Sequence, residues 1–303
     1  MTITLIENFR CVFYTPFYAP VALGTYAAEG LDVRIRTSPA AEQTIHALVA
    51  GEGEVSWGGL SRLMGMLEKG PADPPVAFCE VIARDPFFLI GREPNPDFAF
   101  RDLIGKKVAI VSEVPAPWMC LQYDLKCAGI DWSEIERTPD GTMAQNVEAF
   151  RGGDIDVVQV FHPYAHALTA SGAGHVWYAA AKRGLASYTT LNTTRGFARR
   201  EPDVLVRMCR AVYRAQQWIA SNSGSALAEV VAEWFPGTPR EVLGACFDDY
   251  KRLGVWSSSP LVSHAGFDFI RDAGLSMGRV RKRFEFDDCV DTRFAKQAMR
   301  GEH

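Results

Sequence analysis

Apolar and polar positions along the chain change period repeatedly, and this change predicts alternating strands and helices. Short apolar runs predict strands at residues 3–5, 31–35, 76–83, 87–90, 108–111 and 157–161. Segments with helical spacing, most of them bounded by Gly or Pro, predict helices at 20–29, 41–50, 118–128, 143–151, 203–222, 225–234 and 239–253. This alternation favours a mainly parallel sheet covered by helices, which is an α/β architecture.

Two interruptions of this pattern indicate two lobes. Residues 91–97 form a bend rich in Pro and Gly, and residues 185–192 look extended, so they are expected to carry the chain back. A chain of 303 residues is long enough for two lobes. We therefore predict one lobe of residues 1–92 plus 190–303, and a second of residues 93–189.

Composition narrows the class of protein. The net charge of -4 lacks the basic excess that nucleic acid demands, and no apolar stretch approaches the ~20 residues that span a bilayer. Nucleic acid and membrane insertion are therefore not expected. The opening MTITLIENFR has no leader pattern, and seven cysteines without a C-x-x-C pair suit a reducing compartment. As written, the chain is expected in the cytoplasm, or in the periplasm if a leader was trimmed.

Aromatic and small residues follow two strands of the first lobe, where ligands of α/β sheets bind. Aromatic faces with a polar rim suit a planar ring ligand. The alternative is that these aromatic side chains are ordinary core. The candidate binding residues in these loops are Tyr14, Thr15, Pro16, Phe17, Trp57, Gly58 and Gly59.

The loop of residues 111–118 contributes Ser112, Glu113 and Trp118. Two prolines remove N–H donors from this helix start, and Glu113 adds a negative charge, so sulfonate or nitrate is disfavoured. A carboxylate at this place favours an amino group on a neutral or protonated heterocycle. The alternative is that Glu113 merely complements the helix dipole.

The next candidates follow the strand at 157–161. Phe161, His162 and Tyr164 are expected to face the ligand, with His162 as a hydrogen-bond donor. The spacing of His162 and His166 allows zinc on one helix face, but packing explains such a pair more often, and no metal is expected. Asn192, on the second crossover, is expected to reach the ligand, although an ordinary turn explains it equally well.

Several motifs appear in a fixed order. They are FYTPFYAP at 13–20, EGLDV at 29–33, GEGEV at 51–55, LIGKKV at 103–108 and GDIDV at 153–157, followed by FHP at 161–163. Together they resemble the sulfonate, nitrate and thiamine-pyrimidine binding family over roughly residues 1–220. The resemblance implies a two-lobed, periplasmic-binding-protein-like (type II) fold, a ligand cleft between the lobes and an ABC permease as partner.

A yeast thiamine-pyrimidine synthase is related to this family. The lysine and histidine that the synthase uses align with Leu60 and Met64, and residues 185–192 contain no Cys. The synthase reaction and its pyridoxal phosphate are therefore not expected, and no cofactor is predicted.

Two functions stay open on the sequence. The first is a binding protein that closes on a neutral or cationic, pyrimidine-like heteroaromatic for ABC-type uptake or for sensing. The second is a cytosolic enzyme on the same fold, such as an aromatic-acid decarboxylase or a thiamine-pyrimidine pathway enzyme. The sequence contains no nucleophile elbow, Walker loop or metal-ligand cluster, which favours binding. The role of residues 284–303 also stays open.

Overall fold

A computed structural model describes residues 1–301 of the chain, so the last two residues of the segment 284–303 lie outside the described residues. The strands are β1 Thr2–Glu7, β2 Asp32–Thr37, β3 Val55–Gly58, β4 Pro75–Ile82, β5 Phe88–Gly91, β6 Lys107–Ala109, β7 Glu136–Arg137, β8 Val157–Val160, β9 His175–Ala179 and β10 Thr189–Thr194.

Helices lie between most of these strands as far as β10, except between β4, β5 and β6 and between β9 and β10, and then follow one another to the end of the described chain. They are α1 Thr15–Ala22, α2 Thr25–Ala28, α3 Thr44–Val49, α4 Leu60–Glu68, α5 Ala116–Cys127, α6 Met143–Gly152, α7 Tyr164–Ala170, α8 Arg195–Arg200, α9 Pro202–Ser221, α10 Gly224–Val231, α11 Arg240–Arg252, α12 His264–Ser276, α13 Phe286–Cys289 and α14 Arg293–Arg300. Among residues 1–301, no helix combines the length and the apolar character needed to cross a membrane.

The chain folds into two compact units. Unit 1 consists of Met1–Arg84 together with the chain from Gly184 onward, and unit 2 is Asp85–Arg183. Unit 1 has a sheet with the strand order β2-β1-β3-β10-β4, and unit 2 has one with the order β7-β6-β8-β5-β9. Each sheet mixes parallel and antiparallel pairs.

The sheet of unit 1 brings distant polar residues to one edge. Strands β1 and β3 run parallel, with Leu5 paired to Val55, so both end at the same edge. Strand β10 runs antiparallel to β3, with Thr190 paired to Gly58, so it starts where β3 ends. The carboxyl ends of parallel strands are the usual place for ligands in α/β folds.

The predicted helix at 20–29 is wrong in its limits. Helix α1 begins earlier, because Pro16 occupies its first turn, where a fixed φ and a missing N–H do no harm. Gly24, with φ 70°, then separates α1 from α2. Pro20 therefore lies inside α1 instead of starting a helix.

Candidate functional site

Three polar side chains converge on the backbone of Gly58 in unit 1. A Cβ built on Gly58 would lie 3.6 Å from Nδ2 of Asn192, 3.9 Å from Oδ1 of Asn8 and 4.0 Å from Cζ of Arg62. These residues come from β10, the end of β1 and the first turn of α4. We call Asn8, Gly58, Arg62 and Asn192 the Gly58 corner.

Hydrogen bonds order one side of this corner. Nη1 of Arg62 donates to Oδ1 of Asn8 at 3.0 Å, and Nδ2 of Asn8 donates to the hydroxyl of Tyr14 at 3.0 Å. Burial raises the pKa of Tyr14 to about 12, so its hydroxyl stays protonated at neutral pH. The guanidinium of Arg62 also donates to the carbonyl of Ala41, again through Nη1. Both bonds use Nη1 of Arg62, so the N–H groups on Nε and Nη2 remain able to donate hydrogen bonds to a ligand.

Asn192 orders the other side. Its Oδ1 accepts a hydrogen bond from Oγ1 of Thr190 at 2.8 Å, and its Nδ2 donates to the carbonyl of Gly58 at 3.5 Å. The pairing of β10 with β4 is irregular between Leu191 and Asn192, and such irregularities re-aim side chains. Asn192 is therefore a buried, directed amide beside Gly58, which is more than an ordinary turn residue.

The predicted aromatic residues of unit 1 form a tight cluster next to the corner. The indole of Trp57 stacks on Phe17, with centroids 4.5 Å apart, and the ring centroid of Tyr14 lies 5.7 Å from that of Trp57. All three are fully or almost fully buried. Nε1 of Trp57 has no hydrogen-bond partner within residues 1–301, which is uncommon for a buried indole.

The remaining predicted residues of unit 1 support the backbone. Oγ1 of Thr15 donates to the carbonyl of Val12 at 2.7 Å, and Pro16 starts α1. Gly59 is the N-cap residue of α4, and a Cβ there would lie 3.3 Å from the carbonyl oxygen of Tyr188. These three residues therefore shape the loops around the corner.

Residues that the sequence reasoning missed stand at the end of β1. Glu7 is fully buried, and it accepts hydrogen bonds from Tyr18 at 2.6 Å, from Arg10 at 3.1 Å and from Thr37. Asn8 follows directly. The available signal was a pair of polar residues immediately after an apolar strand, at a carboxyl end where ligands bind.

In unit 2, Glu113 has a structural partner. Its Oε1 accepts a hydrogen bond at 2.7 Å from the backbone N–H of Met143, the first residue of α6, and Glu113 itself is exposed. A carboxylate at that position satisfies an orphan N–H and complements the helix dipole. The sequence alternative had Glu113 complement the dipole of the helix that follows its own loop, α5, whereas the structure places its carboxylate at the start of α6. Ser112 donates to the carbonyl of Gly141 at 2.9 Å in the same region.

Trp118, the third predicted residue of this loop, packs in unit 2 on other side chains. Its ring lies edge-on to Trp132 at 6.1 Å, and the guanidinium of Arg137 lies 5.5 Å above it.

The predicted residues after β8 stay close together because they are consecutive. Phe161 packs edge-on against Phe87 at 5.3 Å, and buried His162 lies 4.8 Å from the ring of Phe88. Tyr164 begins α7 and is partly buried. The rings of His162 and His166 are 6.4 Å apart, and the described part of the chain contains no group of three His, Cys, Asp or Glu placed to hold a metal.

Known proteins are similar to this chain in sequence. A sequence model described as the NMT1-like family matches residues 9–235. The protein YtlA of Bacillus subtilis (strain 168) is 24% identical over 297 residues, a match that spans 97% of this chain and 89% of YtlA.

Solved structures share the fold. The periplasmic aliphatic sulphonate binding protein SsuA of Escherichia coli superposes with a TM-score of 0.76 at 17% identity, covering 95% of this chain and 97% of SsuA. The desulfurization enzyme DSZB superposes with a TM-score of 0.72 at 15% identity, covering 99% of this chain and all (100%) of DSZB. The predicted two-lobed α/β fold of the periplasmic-binding-protein type is confirmed. A binding protein and an enzyme both use it, so the fold does not decide between them.

Proposed function

Because this chain belongs to the NMT1-like family, we propose that it is the small-molecule-binding component of an ABC-type import system. The family match bears out the resemblance that the ordered motifs indicate. The proposal implies a permease as partner and a periplasmic place of action. It is supported by the fold, which the chain shares with a sulphonate-binding protein, and by the Gly58 corner.

The observation that carries the proposal is the convergence of Asn8, Arg62 and Asn192 on Gly58. Two amides and a guanidinium from three separate elements meet at one point, next to a wall of aromatic rings. Asn192 already donates to the carbonyls of Gly58 and Thr190, so the remaining donors are those of Arg62 and Asn8. Gly58 has no side chain, so a ligand can approach its backbone closely. Such a set suits a flat ring that offers hydrogen-bond acceptors.

The charge at the corner narrows the ligand class. Within residues 1–301, Arg62 makes its hydrogen bonds to an amide and a carbonyl, and it forms no ion pair. An uncompensated guanidinium repels a cation and favours an acceptor or an acidic group. We therefore propose a planar heteroaromatic ligand, pyrimidine-like, that is neutral or carries an acidic substituent. The cationic form that the sequence also allowed is disfavoured.

The test compares two glycine variants. In Gly58→Ala the new methyl group would stand 3.6 to 4.0 Å from the three polar side chains, so the fold accepts it while the ligand loses its approach. In the matched control Gly65→Ala the methyl group meets nothing within 4 Å. Calorimetric titration with pyrimidines, aromatic acids and alkanesulfonates should show binding of a ring ligand that Gly58→Ala weakens at least about tenfold and Gly65→Ala leaves unchanged.

Arg62→Gln should also weaken binding by about tenfold or more, since hydrogen bonds to charged groups contribute about 1.5–3 kcal/mol. Unchanged affinity in both Gly58→Ala and Arg62→Gln would contradict the assignment. Binding of alkanesulfonates alone would contradict the aromatic ligand while leaving the import proposal intact.

Glu113→Gln separates the two interpretations of that residue. Because Glu113 binds the N–H of Met143, its replacement should leave ligand affinity within about twofold. A tenfold loss would instead support the amino-group receptor that the sequence suggested.

A separate experiment tests whether the protein is an enzyme. Mass spectrometry of each bound compound after incubation with the protein should show no product. In the loop that precedes α1, burial raises the pKa of the Cys11 thiol well above its usual range, so this residue is not a ready thiolate nucleophile. Product formation would move the chain to the enzyme class.

A further inference from the structure

Unit 1 has a concave surface, which we call the basic groove. It has a volume of about 770 Å³ and runs along α4, between α3 and the loop that follows α12. Its charged and histidine side chains are Glu42, His46, Arg62, Glu68, Lys69, Arg279, Arg281 and Lys282. Ile45 and Met66 give it an apolar floor.

Positive charge dominates this groove. Five Lys or Arg side chains face two carboxylates, a balance of +3 in a chain whose net charge is -4. One carboxylate, Glu68, accepts hydrogen bonds at 2.6 Å from the backbone N–H groups of both Arg281 and Lys282. The other, Glu42, lies 3.7 Å from Arg279 in an exposed pair, which neutralises little.

The bonds of Glu68 also have a structural effect. They fasten the backbone of the loop to the end of α4, so the side chains of Arg281 and Lys282 are held beside that helix. Within residues 1–301, the guanidinium of Arg281 has no hydrogen-bond or ion-pair partner. The ammonium of Lys282 lies over the ring of Phe284 at 4.9 Å. Nζ of Lys69, directly after α4, lies 3.0 Å from Nε2 of His46 on α3.

Gathering like charges costs free energy, and a bound anion relieves that cost. The cations come from α4, its C-terminal end and the loop after α12, and the backbone bonds that hold Arg281 and Lys282 in place leave their side-chain charges unpaired. The volume lies within the range of about 300–1,000 Å³ that is usual for small-molecule sites. Lys and Arg together are the usual receptors of phosphate oxygens, and an apolar floor accommodates an organic group.

We propose that the basic groove binds a small organic phosphate with several negative charges. The groove adjoins the Gly58 corner, and the proposal does not depend on the import function. Arg62 is shared with the Gly58 corner, so it is left unchanged in the test.

The experiment uses the full chain and calorimetric titration with tripolyphosphate and adenosine triphosphate, at low and at physiological salt. We expect saturable binding that weakens with salt, since exposed charges are screened. Arg281→Gln/Lys282→Gln should weaken binding at least about tenfold, because charge-assisted hydrogen bonds are lost. The matched control Arg34→Gln/Arg199→Gln removes two exposed cations of unit 1 outside the groove and should change affinity less than about twofold.

Three results would overturn the proposal. They are no saturable binding of either probe at low salt, equal losses in the groove variant and the control, and binding of an acidic peptide in place of both phosphates. The thermal unfolding midpoint of each double variant is measured as well, to show that the variant is folded. The backbone bonds to Glu68 do not depend on the substituted side chains, so Arg281→Gln/Lys282→Gln is expected to fold.

Discussion

The indole of Trp57 lies almost parallel to the ring of Phe17, with centroids 4.5 Å apart and planes 17° apart. Tyr18 adds an edge contact at 5.7 Å. Trp57 has no exposed surface. In this structure the indole is a central packing element beside the Gly58 corner, and one of its faces is occupied by Phe17.

Trp57→Ala should therefore destabilise the protein strongly. Replacing a buried Trp by Ala typically costs about 3–5 kcal/mol, through lost apolar contact and an unfilled cavity. Trp57→Phe keeps a ring against Phe17 and removes the unpaired Nε1, so it should cost clearly less. Urea unfolding of both variants measures the difference. A loss below about 1 kcal/mol for Trp57→Ala would contradict the packing role.

Arg183 in unit 2 holds two buried carboxylates. Its Nη1 lies 2.9 Å from Asp85, and its Nε donates to Asp124 at 2.7 Å. Arg183→Gln should cost about 3–5 kcal/mol of unfolding free energy, since it leaves both carboxylates buried without their cation. The control is Arg240→Gln, which breaks an exposed pair with Glu229 and should cost at most about 1 kcal/mol. Similar small losses in both variants, measured by denaturant titration, would argue against this.

Glu80 gives the stability a pH dependence. This buried carboxylate accepts hydrogen bonds from Ser187 at 2.5 Å, from Ser257 at 3.2 Å and from the backbone of Ser263 at 3.2 Å. Burial nevertheless raises its pKa above the ordinary value of 4.5. The folded state then binds the proton more tightly than the unfolded state, so this residue's contribution falls as pH rises from 4.5 through the raised pKa.

Glu80→Gln removes this titration. Relative to the wild type, the free energy of unfolding of the variant should therefore increase as the pH rises from 4.5 through the raised pKa. Urea titrations of both proteins across this range measure the trend. Curves that stay parallel would show that Glu80 keeps an ordinary pKa in the fold.

The seven cysteines should differ sharply in reactivity. All are free, and within residues 1–301 only Cys127 is exposed. Burial raises the pKa of Cys120 and Cys246, the latter to about 12, which suppresses the reactive thiolate. A thiol reagent should label one site quickly in the native protein, and Cys127→Ser should abolish that fast phase. Fast labelling of a second cysteine would reveal local opening that the structure does not show.

Local pattern was enough to predict most of the elements. The run PVAFCEVI at 75–82 is buried at every position, and a run of this length that is apolar except at Glu80 is typical of a central strand. The predicted helix at 203–222 corresponds to α9, Pro202–Ser221, because its apolar face repeats with helical spacing over many turns. The start of α1 is not evident from local pattern, because Pro16 in the first turn of the helix looks like a loop residue.

The candidate site was accessible to the sequence only in part. Gly58 and Asn192 were among the predicted residues, since glycine permits close approach and a polar crossover residue attracts attention. Asn8 and Arg62 were not, because neither belongs to a recognisable motif. Glu113 looked like a ligand group for lack of any visible partner, and its partner Met143 lies 30 residues further along the chain.

By itself, the sequence determined the order of strands and helices, the family and the two-lobed α/β fold, because these depend on local periodicity and on motifs in a fixed order. The tertiary structure alone decided which polar groups meet. Arg62 and Asn8 are 54 positions apart, and Asn192 is 134 positions from Gly58. Their contacts depend on the parallel register of β1 with β3 and the antiparallel register of β10, and strand register is a property of the assembled sheet.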